Sequence, residues 1–204
     1  MERIDALREK ISQKMSSYRL LHTLGVERTS RALGELYMPD SIDDLCIAAL
    51  LHDITKECSI EEHIEILKRN GVNVTEDDLK SPKTLHAKTA EFEAAEYFGE
   101  FIDDRICQAL RYHTTGNANM TVFDAIIYLA DYIEETRTFD DCVELRRFFW
   151  SAEPHKMSQS ERIKHLWKTV ILSLDMTISD IEESGGYISR ETLVARVAIA
   201  ERLK

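Results

Sequence analysis

Histidine and aspartate side chains stand at the ends of apolar helical runs, where polar groups are costly unless they find partners. The apolar run 48–51 leads directly into His52 and Asp53. An unpaired buried carboxylate is strongly destabilising, and a metal ion would satisfy both side chains at once. The alternative interpretation is that His52 caps the helix end and Asp53 begins a turn.

Four more residues of the same types lie in similar places. His113 ends a second apolar helix, and Asp131 stands inside the apolar run 122–133. His22 has apolar neighbours on both sides, and His86 lies in the first turn of a helix beside small residues. The alternatives are a core histidine bonded to the backbone for His22, a surface histidine for His86 and a structural salt bridge for Asp131. A buried carboxylate at position 131 favours a functional role, because it needs a cation or several donors.

The elements that must position these residues are helices. The chain has 204 residues, 44% of them hydrophobic, with only 7 glycines and 3 prolines, and apolar residues recur at helical spacing. We therefore predict an all-α protein and a single domain, 1–204.

Local signals mark where helices begin. A serine or threonine followed three residues later by an acid is typical of a capping box, and this pattern predicts helix starts at Ser41, Ser59 and Thr121. His63 lies among glutamates and His165 lies off the apolar stripe of its helix. Both of these histidines are predicted to be exposed.

Charge and cysteine usage restrict the function classes. The formal net charge of −11 argues against a nucleic acid or an anionic membrane as the main partner. No apolar run reaches membrane-spanning length, and the charged start of the chain does not look like a signal peptide. The four cysteines are scattered without a CxxC pair, which is typical of reduced thiols in a cytoplasmic protein.

His22, the pair His52-Asp53 and Asp131 match the ligand pattern of the HD-domain metal-dependent phosphohydrolases. The segments 51–56, 85–87, 111–116 and 128–134, together with Arg137, look like the YqeK branch of that family. The resemblance covers about residues 17–137 and extends only loosely to the last third. It implies a metal and nucleotide core at about 17–137, with C-terminal helices 140–204 packed on it. It implies an HD-domain helical bundle, a homodimer and an iron centre. It also implies a symmetrical bis(5′-nucleosyl)-tetraphosphatase, which splits diadenosine tetraphosphate (Ap4A) into two ADP.

The donor set agrees with metal chemistry independently. His22, His52, Asp53 and Asp131 offer two imidazoles and two carboxylates, which suit Fe, Mn or another divalent ion better than a closed zinc site. Two coordination positions would remain open for water and a phosphate oxygen. Such a metal would activate water for attack on an inner phosphorus, with ADP leaving, and Asp131 is a candidate catalytic residue as well as a ligand.

His86 and His113 have two possible roles. They would either hold a second metal, as in some HD enzymes, or donate hydrogen bonds to phosphate as a clamp or general acid. The resemblance favours phosphate contact and catalysis. Thr114 would add a hydroxyl or amide, Arg137 a phosphate fork, and Gly25 would let the nucleotide approach the backbone closely.

Other functions fit the same residues. One is an HD phosphohydrolase of a nucleoside monophosphate, a deoxynucleoside triphosphate or a cyclic nucleotide, and another is a nucleotide-binding sensor without turnover. A purely structural protein would leave Asp131 unexplained. Lys56 is predicted to be a surface lysine, and Trp150 and Trp167 are expected to fill the core.

Overall fold

The chain forms a bundle of α-helices joined by short turns. The computed structural model describes residues 2–204, and this part of the chain contains eleven α-helices, four 3₁₀ turns and no strand. The helices are α1 (Glu2–Ser12), α2 (Ser17–Tyr37), α3 (Ile42–Leu51), α4 (Ile60–Arg69), α5 (Glu76–Lys80), α6 (Leu85–Phe98), α7 (Asp104–Tyr112), α8 (Val122–Ile133), α9 (Asp140–Ser151), α10 (Gln159–Glu183) and α11 (Arg190–Glu201). The all-α prediction is confirmed.

Helices α3 and α8 form the centre of the bundle. Every residue of α3 from Leu45 to Leu51 is buried, and nearly all of α8 is buried as well. Helix α2 packs along both of them, and α1 and α7 also contact α3. Each fully buried leucine or isoleucine contributes about 1.5–3 kcal/mol of hydrophobic stabilisation. The two central helices therefore give a rigid frame for polar residues at their ends.

Two of the three predicted capping boxes are confirmed. The Ser59 hydroxyl accepts from the backbone of Glu62, and the Glu62 carboxylate accepts from the backbone of Ser59. Thr121 and Asp124 make the same reciprocal pair at the start of α8. These caps satisfy N–H groups that have no partner inside the helix, and so they fix where α4 and α8 begin.

The capping box predicted at Ser41 is wrong. The Ser41 side chain makes no cap hydrogen bond. It accepts instead from Arg105, whose guanidinium also pairs with the Asp44 carboxylate. Arg105 on α7 competes for both members of the local motif, since a charge-assisted hydrogen bond is stronger than a neutral one.

The exposure predicted for two histidines is also wrong. His63 is buried, with its Nδ1 2.9 Å from the Thr89 hydroxyl. His165 is buried with its Nε2 3.0 Å from the Phe149 carbonyl. In each case a neighbouring helix supplies the polar partner that makes burial of an imidazole acceptable.

The last third of the chain packs on the site-bearing helices. Helix α10 lies against α8 and α9, and α11 lies against α10. Trp167 is buried as predicted, whereas Trp150 is 38% exposed and does not fill the core. Arg202, directly after α11, donates to the carbonyls of Met120 and Ala118, which holds the end of the chain to the loop before α8.

None of the helices in residues 2–204 is both long and apolar enough to cross a membrane.

Candidate metal centre

Six polar side chains from five parts of the bundle meet at one point. All six were predicted from the sequence as functional residues. They are His22 on α2, His52 and Asp53 at the end of α3, His86 in the first turn of α6, His113 directly after α7, and Asp131 near the end of α8. Because α3 stops after Leu51, two consecutive polar residues leave the apolar run together and both reach the same centre.

Each of the two predicted imidazole ligands lies within 3.7 Å of both predicted carboxylate ligands. The His22 Nε2 is 3.0 Å from Asp131 Oδ1 and 3.6 Å from Asp53 Oδ2. The His52 Nε2 is 3.5 Å from Asp53 Oδ2 and 3.7 Å from Asp131 Oδ1. Three overlapping groups in this centre have the spacing of a metal site.

The orientation of the histidine rings is fixed from outside the centre. Each Nδ1 faces an acceptor oxygen, so that Nε2 is the ring atom that faces the centre. The pairs are His22 with the Glu134 carboxylate (3.1 Å), His52 with the Ala49 carbonyl (2.7 Å), His86 with the Lys83 carbonyl (2.8 Å) and His113 with the Leu110 carbonyl (2.8 Å). This is the arrangement of metal-binding histidines, whose other nitrogen donates to a carboxylate or carbonyl.

Three buried atoms in the centre have no hydrogen-bond partner among the described residues. They are His22 Nε2, His52 Nε2 and Asp53 Oδ1. Each unsatisfied buried polar atom costs about 1–3 kcal/mol. A divalent cation would coordinate His22 Nε2 and His52 Nε2 together with the Asp53 carboxylate, and the mixed nitrogen and oxygen set agrees with Fe²⁺ or Mn²⁺. The residues present therefore fit a divalent metal ion.

A proton competes with a metal ion at His22. Burial alone would lower the pKa of His22, but the nearby carboxylates of Asp131 and Glu134 outweigh that effect and raise the pKa to about 9. The pKa of Asp131 is held well below its usual value, because Arg137 and two histidines outweigh its burial. Metal binding would release the His22 proton, since the ligand must be deprotonated.

A second cluster lies on the other side of Asp53. Its Oδ1 is 3.3 Å from His86 Nε2 and 3.6 Å from His113 Nε2, and the two Nε2 atoms are 3.1 Å apart. The Thr114 hydroxyl is 3.1 Å from His86 Nε2. Burial lowers the pKa of both His86 and His113. Asp53 thus separates two histidine pairs and presents a different oxygen to each.

Three cationic side chains surround the two clusters. Arg137 turns back over the centre and pairs with the Asp131 carboxylate, while its Nε donates to the Asp131 carbonyl. The Arg19 guanidinium donates to Asp53 Oδ2 at 2.5 Å. The Lys56 ammonium lies 3.0 Å from His86 Nε2, so the prediction of a surface lysine is wrong. These cations give the centre a positive rim in a protein of net negative charge.

Sequence reasoning missed Arg19 and Glu134 as site residues. Arg19 precedes His22 by three residues, so both lie on one face of α2. This spacing is the sequence signal that could have identified Arg19 as a site residue. Glu134 is fully buried and holds His22 through its carboxylate. Nothing local marks Glu134, because its partner His22 is 112 residues away.

Gly25 has a protein neighbour that the sequence did not suggest. A methyl group added at this position would lie 2.3 Å from Glu134 Oε2. The glycine therefore makes room for the carboxylate that orients His22. Its predicted contact with a nucleotide stays a prediction.

A groove of about 370 Å³ opens over the centre. We call it the Arg137 groove; it is lined by Tyr18, Arg19, Leu21, His22, Lys56, Glu134, Thr136, Arg137, Thr138 and Phe139. Tyr18 is 76% and Phe139 67% exposed. Exposed aromatic side chains beside cations suit a ligand with a planar ring and anionic groups.

The chain is similar to known proteins over most of its length. Residues 19–136 match the HD domain family. The chain is 35% identical over 137 residues to a symmetrical bis(5′-nucleosyl)-tetraphosphatase of Bacillus subtilis, an alignment that covers 67% of this chain and 72% of that protein. A protein of the same name from Halalkalibacterium halodurans is 33% identical over 136 residues, which cover 67% of this chain and 71% of that protein.

A solved structure has the same fold. It is the crystal structure of a predicted HD superfamily hydrolase involved in NAD metabolism from Clostridium acetobutylicum. The two chains superpose with a TM-score of 0.84 at 29% identity, over 97% of each chain.

Proposed function

Because this chain belongs to the HD domain family, we propose that it is a metal-dependent hydrolase that splits Ap4A symmetrically into two ADP. The observation that carries the proposal is the buried centre of His22, His52, Asp53 and Asp131. It lies within residues 19–136, which match the HD domain family, and the chain is similar to two symmetrical bis(5′-nucleosyl)-tetraphosphatases.

These four residues would hold the divalent ion. When bound, the ion supplies Lewis-acid chemistry that polarises a phosphoryl oxygen and acidifies water. Iron is the proposed ion and Mn²⁺ the alternative, since both accept a mixed set of imidazole and carboxylate ligands. Asp131 is also placed to hold a proton released by the attacking water, because its Oδ1 lies 3.0 Å from the Nε2 of His22, which lines the Arg137 groove.

His86 and His113 are proposed to act on the phosphate chain. Their burial keeps both rings neutral in the free protein, and a bound polyphosphate would favour their protonated form. In that form Nε2 donates to a phosphate oxygen or gives its proton to the departing ADP. Thr114 and Arg137 would add hydrogen bonds to the same oxygens.

The first experiment is anaerobic incubation of the purified protein with Ap4A and Fe(II) or Mn(II), with products separated by chromatography. We expect ADP as the only product. AMP together with ATP would retain a metal hydrolase but contradict the symmetrical cut. Tight ADP binding without turnover would identify a sensor instead.

Removing one proposed ligand tests the centre itself. His52→Ala or Asp131→Ala should lower metal content and reduce turnover at least about a hundredfold, because the remaining donors no longer complete the site. The control is His155→Ala, which alters an exposed histidine outside the centre. Full activity of metal-depleted Asp131→Ala would refute the assignment.

Two further parts of the proposal concern the assembly and the ion. The protein is proposed to be a homodimer, which light scattering of the purified chain tests directly. Elemental analysis of protein purified without added metal tests whether iron is the bound ion.

A further inference from the structure

Symmetrical cleavage sets a geometric requirement on the site. Ap4A carries a nucleoside at each end, and a cut that yields two ADP breaks the central P–O–P bond. This bond must lie at the centre while the two ADP arms leave it in different directions. Where the second arm binds is a question that rests on the proposed function.

Two grooves of similar size open from the centre. One is the Arg137 groove, of about 370 Å³. The other, which we call the Ile60 groove, has a volume of about 350 Å³ and is lined by Lys56, Cys58, Ile60, His63, Pro82, Lys83 and His86. Both volumes lie at the lower end of the range of small-molecule sites. Lys56 lines both grooves, so the two meet at its side chain.

The centre lies between these grooves. His22 lines the Arg137 groove and His86 lines the Ile60 groove. Asp53 presents Oδ2 to His22 at 3.6 Å and Oδ1 to His86 at 3.3 Å. A chain of phosphates that crosses Asp53 and Lys56 would therefore enter one groove at each end.

The side chains of the Ile60 groove suit a nucleoside with its phosphates. Cys58, Ile60 and Pro82 give it an apolar wall, and Ile60 is 46% exposed although it is the first residue of α4. Lys56 and Lys83 line the same groove and supply cations. The apolar wall suits a base and the cations suit phosphate, so the groove offers both kinds of contact that a nucleotide needs.

We propose that the Ile60 groove binds the second nucleoside diphosphate arm of the substrate, while the Arg137 groove binds the first. The substrate then spans the centre, and its middle phosphoanhydride bond lies beside Asp53. The two-sided site explains why the cut is symmetrical, since each arm occupies one groove.

The test compares a substrate with two nucleosides to one with a single nucleoside. Adenosine 5′-tetraphosphate (p4A) gives ADP and pyrophosphate when water cleaves the same bond, and its one nucleoside can occupy the Arg137 groove. The variant is Ile60→Gln with Lys83→Gln, which removes the apolar wall and one cation. We expect kcat/KM for Ap4A to fall about tenfold or more, mainly through KM.

For p4A, measured both as a substrate and as an inhibitor of Ap4A cleavage, we expect a loss of about threefold or less, because its terminal phosphates lose the Lys83 cation but no nucleoside contacts the apolar wall of the Ile60 groove. The matched control is Leu79→Gln with Lys80→Gln, the same chemical changes on the exposed surface of α5, outside both grooves. Its kinetics with both compounds should equal those of the wild type.

The outcomes separate this inference from the function it rests on. Wild-type protein that makes two ADP, with an Ile60/Lys83 variant that is unchanged or loses both activities equally, would overturn the second arm site alone. Metal-loaded wild-type protein that makes no ADP from Ap4A would overturn the proposed function.

Discussion

The carboxylate of Glu134 controls the orientation of a proposed metal ligand. It is fully buried, accepts from His22 Nδ1 at 3.1 Å and is held by the backbone N–H and the hydroxyl of Thr136, both at 2.6 Å. Its pKa is lowered, since these hydrogen bonds outweigh its burial. The ionised Glu134 therefore keeps the His22 proton on Nδ1 and leaves Nε2 for the ion.

We predict that Glu134→Gln weakens metal binding about 10–100-fold, the usual effect of removing a hydrogen-bond partner of a metal-bound histidine. The amide keeps the size of the side chain but removes the negative charge that increases the basicity of His22. Titration with Mn²⁺, followed by its electron paramagnetic resonance signal, measures the change.

The control for this variant is Glu135→Gln, which alters the next residue, an exposed carboxylate paired with Arg28. It should bind Mn²⁺ like the wild type. Equal affinities for both variants would show that Glu134 has no role in orienting the ligand.

At the scale of elements, the contact between α2 and the end of α8 depends on one glycine. Gly25 faces the Glu134 carboxylate so closely that any side chain at position 25 would displace it. Helix α2 also carries His22 and Arg19, so its distance from α8 sets the position of two site residues.

Gly25→Ala is expected to lower the free energy of unfolding by about 1–3 kcal/mol, because an added methyl group in a packed interior forces its neighbours to shift. It should also weaken metal binding, since Glu134 must move away from His22. Thermal unfolding and Mn²⁺ titration measure the two effects.

Gly99→Ala is the matched control, because a methyl group there meets nothing within 4 Å. Its stability should equal or slightly exceed that of the wild type. If Gly25→Ala behaves in the same way, the close approach of α2 to Glu134 does not constrain the fold.

At the scale of the whole molecule, Asp77 ties the C-terminal helix to the middle of the chain. Its carboxylate accepts from the Tyr187 hydroxyl at 2.8 Å, the Ser189 hydroxyl at 3.1 Å and the Arg190 backbone at 3.1 Å. Burial alone would raise the pKa of Asp77, but these hydrogen bonds outweigh it and lower the pKa below its ordinary value of 3.8.

This contact should make the docking of α11 sensitive to acid. Because the folded-state pKa is the lower one, the stabilisation is fully present above the unfolded-state pKa and is lost as pH falls through the folded-state value. We predict that Asp77→Asn lowers Tm by about 2–4 °C near neutral pH and that this difference shrinks below about pH 4.

Thermal unfolding from about pH 7 to about pH 3 measures the difference. Asp180→Asn, which alters an exposed carboxylate without a hydrogen-bond partner among the described residues, should follow the wild-type curve. A Tm difference between Asp77→Asn and wild type that does not change with pH would contradict the proposed role of the ionised carboxylate.

Local sequence determined where most helices lie and which residues end them. Periodic apolar residues and the caps at Ser59 and Thr121 are properties of neighbouring residues, and they act before any distant contact forms. For the same reason His52 and Asp53 were recognisable at the end of α3. The six polar residues of the centre were all found in this way.

Tertiary packing decided which side chains share an environment. His63 precedes the buried Ile66 and Leu67 by three and four residues, a signal that the surrounding glutamates masked, and its burial depends on Thr89 of another helix. Arg105, which lies on a different helix, binds both residues of the capping box predicted at Ser41.

The residues of the centre show this division between sequence and packing most clearly. The sequence by itself determined that His22 and Asp131 stand in apolar helices and need polar partners. Only the tertiary structure decided that Glu134 holds His22, that Lys56 reaches His86 and that two grooves meet at Lys56. Helical periodicity defines the faces of each helix, but the packing of the whole bundle determines which faces meet.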